Sequence, residues 1–224
     1  MRFKNVFSII GPAMVGPSSS HTAGAIRIGR VARQLLGVQP EKVRILLYGS
    51  FAETYQGHGT DLALIGGLLD YETDDPRIRN SFEEAKLAGV EVSFVPITGN
   101  CPHPNTAKLE LWAGDEYTEV LGASIGGGNI VIHAMSGFDV QCTGEFPTLV
   151  IQHIDSTGII AQITNILSVF GLNIGYMDVD RKRRNGEAMT VIELDTPITK
   201  QVQDTISRLP NIVKVSVIDL TRRS

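Results

Sequence analysis

Three consecutive serines, Ser18, Ser19 and Ser20, followed by His21 and Thr22, stand directly before an amphipathic segment in "GPSSSHTAGAIRIGRVARQLLG". One hydroxyl is enough to accept from the free N–H groups of a helix N-terminus. Four hydroxyls and an imidazole exceed that need. Hydroxyls and backbone N–H groups gathered at a helix start can cradle a carboxylate or phosphate. No lysine follows in the spacing of a P-loop. Two readings stand at this point: an over-supplied helix cap, or a site for an anion or amino acid.

A second chemical candidate is "YGSFAETYQGHGTDLALIGG", where His58 lies between Gly57 and Gly59. Flanking glycines let a backbone approach a ligand and leave an imidazole unobstructed. An imidazole titrates near ~6.5, which suits a general base; the plain alternative is a solvated loop histidine. A helix capped by Thr60 or Asp61 is expected next, and Asp61 either orients an imidazole or favours the helix N-terminus. In "HPNT", residues 103 to 106, His103 and Asn105 are placed to reach a ligand or to make an ordinary turn. In "SIGGGNI", Gly126, Gly127 and Gly128 would weaken a strand unless substrate, a partner chain or a bulge needs close backbone approach. In "HIDSTGIIAQI", Asp155, Ser156 and Gly158 offer a helix entry that suits a small anion or a simple cap. His133 and His153 fall within strand patterns and read as structural, and "RKRRNG" reads as a solvated hairpin tip.

The elements that must position these residues follow from periodicity. A helix is expected from Ala23 to Leu36 with Gly37 at its end, then a strand over "VRILLYGSF" and a helix beginning in "GTDLALIGGLLDY". Asp75 and Pro76 open a third helix through "RIRNSFEEAKLAG", as N-cap and first helical residue. "VEVSFV", "AKLELWA", "YTEVLGAS" and "NIVIHAM" are strand-like and turn-separated, an α+β domain with its later sheet largely antiparallel. The chain divides in "QCTGEFPT", giving domains at 1–143 and 148–224. The second reads β-α-β-β-α-β, the ferredoxin-like order.

Composition narrows the classes. The chain has 224 residues, 42% hydrophobic and 20% charged, enough apolar content for a core. Net charge is −4 with no basic stripe, which argues against nucleic acid. No apolar run reaches the ~18 residues of a membrane span. Val6–Ile10 reads as a local strand or helix rather than a signal peptide, so a cytoplasmic location is expected. The two cysteines, Cys101 and Cys142, lack CxxC spacing, which argues against a disulfide framework and against a zinc or iron–sulfur site built from this chain alone.

"GPSSSHT", "YGSFAETYQGHGTD", "HPNT" and "SIGGG", in this order and spacing, resemble the β subunit of iron–sulfur-dependent L-serine dehydratases over essentially the whole chain. The second part resembles an ACT domain, through "DSTGIIAQITNIL" followed by "GLNIGYMDVDR". The first part is also similar to the allosteric substrate-binding domains of phosphoglycerate dehydrogenases. The resemblance implies conversion of L-serine to pyruvate and ammonia without pyridoxal phosphate. It implies a [4Fe-4S] cluster held by cysteines of a partner α subunit and no metal ligand on this chain, together with homodimerisation. By the same resemblance His58 transfers the proton, with Asp61 nearby and His21 on the catalytic face. Ser18, Ser19, Ser20, Thr22, Asn105, Gly126 and Gly127 bind substrate, and Asp155 and Gly158 hold a regulatory ligand. The alternative is an ACT-containing amino-acid-binding regulatory module without catalysis of its own.

Overall fold

The computed structural model describes residues 13–16 and 18–222; the element expected over Val6–Ile10 lies outside the described residues. A π-helical turn, Ser19–Ala23, runs directly into helix α1, Gly24–Leu36. Ile28, Val31, Ala32 and Leu35 recur at three- and four-residue spacing on its buried face. Gly37 ends it at φ 88°, a left-handed conformation that glycine adopts without steric cost.

Strand β1, Lys42–Tyr48, alternates exposure and burial, with Val43, Ile45 and Leu47 inward. The strand expected to continue through Phe51 stops at Tyr48. Gly49, at φ 52° and packed against Pro104, turns the chain into helix α2, Gly49–Thr54, which buries Phe51. Helix α3 covers Thr60–Leu68. The single helix expected after Asp75 divides into a 3-10 turn, Pro76–Asn80, and helix α4, Ser81–Leu87. Asp75 caps the first as expected, accepting from the Arg77 N–H.

Strands β2, Glu91–Ile97, β3, Thr106–Ala113, β4, Glu116–Gly126, and β5, Asn129–Met135, complete a sheet ordered β2-β1-β3-β4-β5. Only the β1–β2 pair is parallel, and its crossover carries α2, α3 and α4.

The second domain comprises β6, Thr148–Ile154, α5, Ile159–Val169, β7, Ile174–Arg181, β8, Glu187–Leu194, α6, Lys200–Ser207, and β9, Ile212–Ile218. Its antiparallel sheet is ordered β7-β8-β6-β9, the ferredoxin-like arrangement. One face is covered by the helices, through Ile163, Leu167, Val202 and Ile206. The other sends Val150, Met189, Val191 and Ile218 into the core of the first domain. The Ser216 hydroxyl donates to Leu35 O at 3.0 Å, and the Asp219 N–H donates to Gln34 Oε1 at 2.8 Å. The second domain thus clamps the C-terminal end of α1, whose other end follows the serine run. Among the described residues no helix is long and apolar enough to cross a membrane.

Candidate active site

Ser18 is extended and caps the π-helical turn, its Oγ accepting from the His21 N–H at 3.3 Å. That turn delivers the His21 ring into a ring of hydroxyls. Nδ1 lies 3.2 Å from Ser20 Oγ and 3.4 Å from Ser18 Oγ, while Nε2 lies 3.1 Å from Ser50 Oγ. A hydroxyl can donate or accept, so either neutral tautomer of His21 finds a partner at both nitrogens. The ring also packs edge-on to Phe51 at 5.3 Å and to His58 at 4.7 Å between centroids. Burial, and then the charge His58 can carry, hold the His21 pKa below the usual histidine value. His21 is therefore held as the neutral imidazole at neutral pH.

His58 is exposed beside this buried partner. Its N–H donates to Thr54 O at 3.0 Å, and the Thr60 N–H donates to Tyr55 O at 2.9 Å, so the loop closes on the end of α2. Neither Thr60 nor Asp61 caps α3, as the sequence suggested. Gly59, at φ 69°, occupies the N-cap with no side-chain hydrogen bond, because the loop must turn through the left-handed region there. Thr60 and Asp61 are instead buried within the first turn. The Thr60 hydroxyl has no partner among the described residues. Asp61 Oδ1 accepts from the Leu62 N–H at 2.8 Å, and burial raises its carboxyl above the ordinary value despite that bond.

The turn at 103–106 is brought to the same place. Asn105 donates its N–H to His103 Nδ1 at 3.1 Å, and its carbonyl accepts from the Ser124 N–H at 2.9 Å. Pro104 O accepts from the Phe51 N–H at 3.4 Å, fixing the turn against α2. Gly24, just after the π-helical turn, packs so closely on Ser124 that no side chain fits there. The glycine run forms the β4–β5 tip, with Gly126 at φ 98° and Gly127 at φ 62°. Arg27 of α1 ties it down, donating to Gly128 O and Gly144 O at 3.0 Å each.

Asp155 and Gly158 lie elsewhere, in the second domain. Asp155 pairs with Arg181 at 3.0 Å and accepts from the Asn185 N–H at 3.3 Å, which holds its carboxyl low. Gly158, at φ 87°, is the N-cap of α5. Ser50 is the site residue that sequence reasoning passed over, because it lay inside an apparent strand. The signal was there in the small pair Gly49-Ser50, which breaks the apolar run.

Cys101 is half-buried and donates to His103 O at 3.1 Å. Cys142 is buried, and its thiol is pushed up to about 12 by that burial and then by Glu193. Among the described residues no three His, Cys, Asp or Glu side chains group as ligands for a metal ion. The described residues therefore do not present the thiolate set that an iron–sulfur cluster needs.

A family model for the serine dehydratase beta chain matches residues 5–93. The chain is 47% identical over 218 residues to a "Probable L-serine dehydratase, beta chain" of Bacillus subtilis, covering 97% of this chain and 99% of that protein. It is 37% identical over 204 residues to the "L-serine dehydratase, beta chain" of Peptoniphilus asaccharolyticus, covering 90% and 92%. The D-3-phosphoglycerate dehydrogenase of Methanocaldococcus jannaschii is 26% identical over 209 residues, spanning 86% of this chain and 36% of that one. Among solved structures, the ACT domain from GTP pyrophosphokinase of Chlorobium tepidum aligns at 21% identity with a TM-score of 0.28, covering 32% of this chain and 96% of that one. With such identity running through nearly the whole of both the chain and its Bacillus relative, the protein belongs to the family of L-serine dehydratase β chains.

Proposed function

We propose that this chain supplies the His21–His58 face of an active site that dehydrates and deaminates L-serine, completed by a separate α subunit. The observation that carries the reading is the contact between an exposed imidazole and a neutral, hydroxyl-bound one, 4.7 Å apart. The serine run and the N–H groups of the π-helical turn offer donors for the substrate carboxylate. The same reading assigns Asn105, in the turn whose Pro104 carbonyl accepts from the Phe51 N–H, and the Gly126–Gly127 tip to substrate binding. His58 takes the α-proton, and His21, with no charge to repel the resulting imidazolium, backs it. Loss of the β-hydroxyl with that proton leaves 2-aminoacrylate and water. The enamine tautomerises to the imine, which takes up water and releases ammonia to give pyruvate.

The [4Fe-4S] cluster of this reading belongs to the α subunit's cysteines, and none of the steps assigned to this chain runs through it. The loop of Asp155 and Gly158 is the place proposed for a regulatory ligand, and homodimerisation in the cytoplasm completes the reading. Co-expression with a cysteine-bearing α chain, anaerobic purification and assay of pyruvate from L-serine test the proposal. An intact, cluster-loaded complex without activity would overturn it. His58→Ala is expected to abolish turnover at unchanged assembly and cluster content; wild-type turnover would remove His58 from the chemistry.

A further inference from the structure

Away from the His21–His58 face, an open cavity of about 320 Å³ lies where the last turn of α1 meets α6 and β9 of the second domain. Arg33 and Gln34 wall it on one side, and Gln203, Lys214, Val215 and Val217 on the other. Its size and its place between two domains are those of small-molecule sites. Both charges in its wall are positive, and no carboxylate is among its described lining residues.

Arg33 is the unusual member. It is half-buried, its Nε is closed off from solvent without a partner, and no described residue accepts from its other side-chain N–H groups. Burial draws its pKa below the ordinary arginine value, with the charge of Asp70 pulling the other way. Asp70 Oδ1 nevertheless bonds to Arg30 and Gln34, at 3.0 and 3.1 Å, and not to Arg33. A guanidinium keeps its charge even so. A charge drawn out of water without a counter-ion costs free energy, and an anion in the cavity would remove that cost. The Lys214 charge, by contrast, is already met: Nζ donates to Glu116 at 2.8 Å and to Leu36 O at 3.2 Å. The cavity is thus one positive charge in excess, which a monoanion would match. The carbonyls that end α1 do not oppose an anion there. Arg33 O, Leu35 O and Leu36 O already accept from the Gly37 N–H, the Ser216 hydroxyl and Lys214. A guanidinium offers paired N–H groups in the geometry of a carboxylate. An α-amino acid is a poorer match, because its ammonium would meet two cations. Its acceptor would be Gln203 Oε1, the Gln203 amide nitrogen being spent on Val215 O at 2.9 Å.

We infer that this cavity binds a small organic monocarboxylate, its carboxylate on Arg33 and its apolar body against Val215 and Val217. The inference stands apart from the dehydratase reading, since neither His21 nor His58 takes part. Ligand-observed NMR on the full chain with butyrate, and with butyramide as its uncharged counterpart, tests it. Butyrate is expected to bind about tenfold or more tightly than butyramide, and more tightly than 2-aminobutyrate. Arg33→Lys, which keeps the charge and loses the fork, should weaken butyrate several-fold. Arg33→Gln should remove its preference over the amide. Neither change breaks a side-chain hydrogen bond to a described residue, and thermal melts check that both variants fold. Should they not, Gln203→Glu sets a carboxylate in the wall without touching Arg33 and should abolish butyrate binding. Equal affinity for butyrate and butyramide, tighter binding of 2-aminobutyrate, no binding of butyrate, or unchanged binding by Arg33→Gln or Gln203→Glu would each overturn the inference.

Discussion

Gly29 of α1 and Gly67 of α3 meet backbone to backbone. A Cβ on Gly67 would lie 2.9 Å from the Gly29 Cα and 3.0 Å from the Arg30 N, and one on Gly29 would lie 3.0 Å from the Gly67 Cα. Closeness, not backbone conformation, demands glycine at both positions. The crossing lets the two helices start side by side, which is what sets the His21 turn against the His58 loop. Gly67→Ala should therefore cost about 1–3 kcal/mol in urea denaturation, because only backbone atoms stand in the way and they cannot yield cheaply. Gly57→Ala is the control. Its new Cβ would meet only Thr54 O, at 3.7 Å, and stability should stay within about 0.5 kcal/mol. Equal losses in the two variants would show that the crossing is not a tight one.

The sequence showed the ingredients of this site more clearly than their meeting. Local pattern sufficed for α1, because its apolar spacing and Gly37 are neighbours in the chain. It sufficed likewise for the ferredoxin-like order of the second domain, where each turn carries its own glycine, asparagine or proline. His21 and His58 stood out by their immediate neighbours, yet their contact depends on the Gly29–Gly67 crossing, which no local spacing encodes. Helix α2 and Ser50 were hidden because the chain reverses at Gly49 against Pro104, a residue far along the chain. The partnership of Thr143 with Glu193 was hidden for the same reason: it joins two domains.

The depressed pKa of His21 has a consequence for stability. Because the fold disfavours the charged ring, the unfolded chain binds more proton at this site as the pH falls below the histidine reference of 6.5. Stability tied to His21 is thus complete above that value and is lost as the pH drops through it toward the lower folded value. Urea midpoints from pH 8 to pH 5 should fall less steeply for His21→Gln than for wild type. Parallel curves would mean that His21 protonates as easily in the fold as outside it.

Asp61 carries the opposite sign. Its folded pKa is raised above 3.8 by burial, against the pull of the Leu62 N–H. As the pH rises through 3.8 the unfolded chain loses this proton first, and stability is lost until the folded carboxyl has ionised as well. Asp61→Asn keeps an oxygen for the Leu62 N–H and removes the buried charge. It should melt at least as high as wild type at pH 7, with the advantage gone below about pH 4. A variant that melts lower at pH 7 would show that the charge at this helix start stabilises more than burial costs.

Ser50 separates holding the imidazole from merely packing beside it. Its Oγ is 3.1 Å from His21 Nε2 and its carbonyl accepts from the Thr54 hydroxyl at 2.7 Å, so only the first contact is lost in Ser50→Ala. One such hydrogen bond is worth about 1 kcal/mol, and the variant should fold. With one nitrogen released, the His21 ring can turn away from His58. Turnover by the complex assembled with an α chain is then expected to fall about tenfold at little change in KM, as for a group that acts in the transition state. The apparent pKa of the rate profile should move as well, because the neighbour that sets the surroundings of His58 has moved. Ser50→Thr, which restores a hydroxyl, should recover most of the rate. An alanine variant with wild-type turnover and an unshifted pH profile would reduce Ser50 to a packing residue and leave the His21 ring held by Ser18 and Ser20 alone.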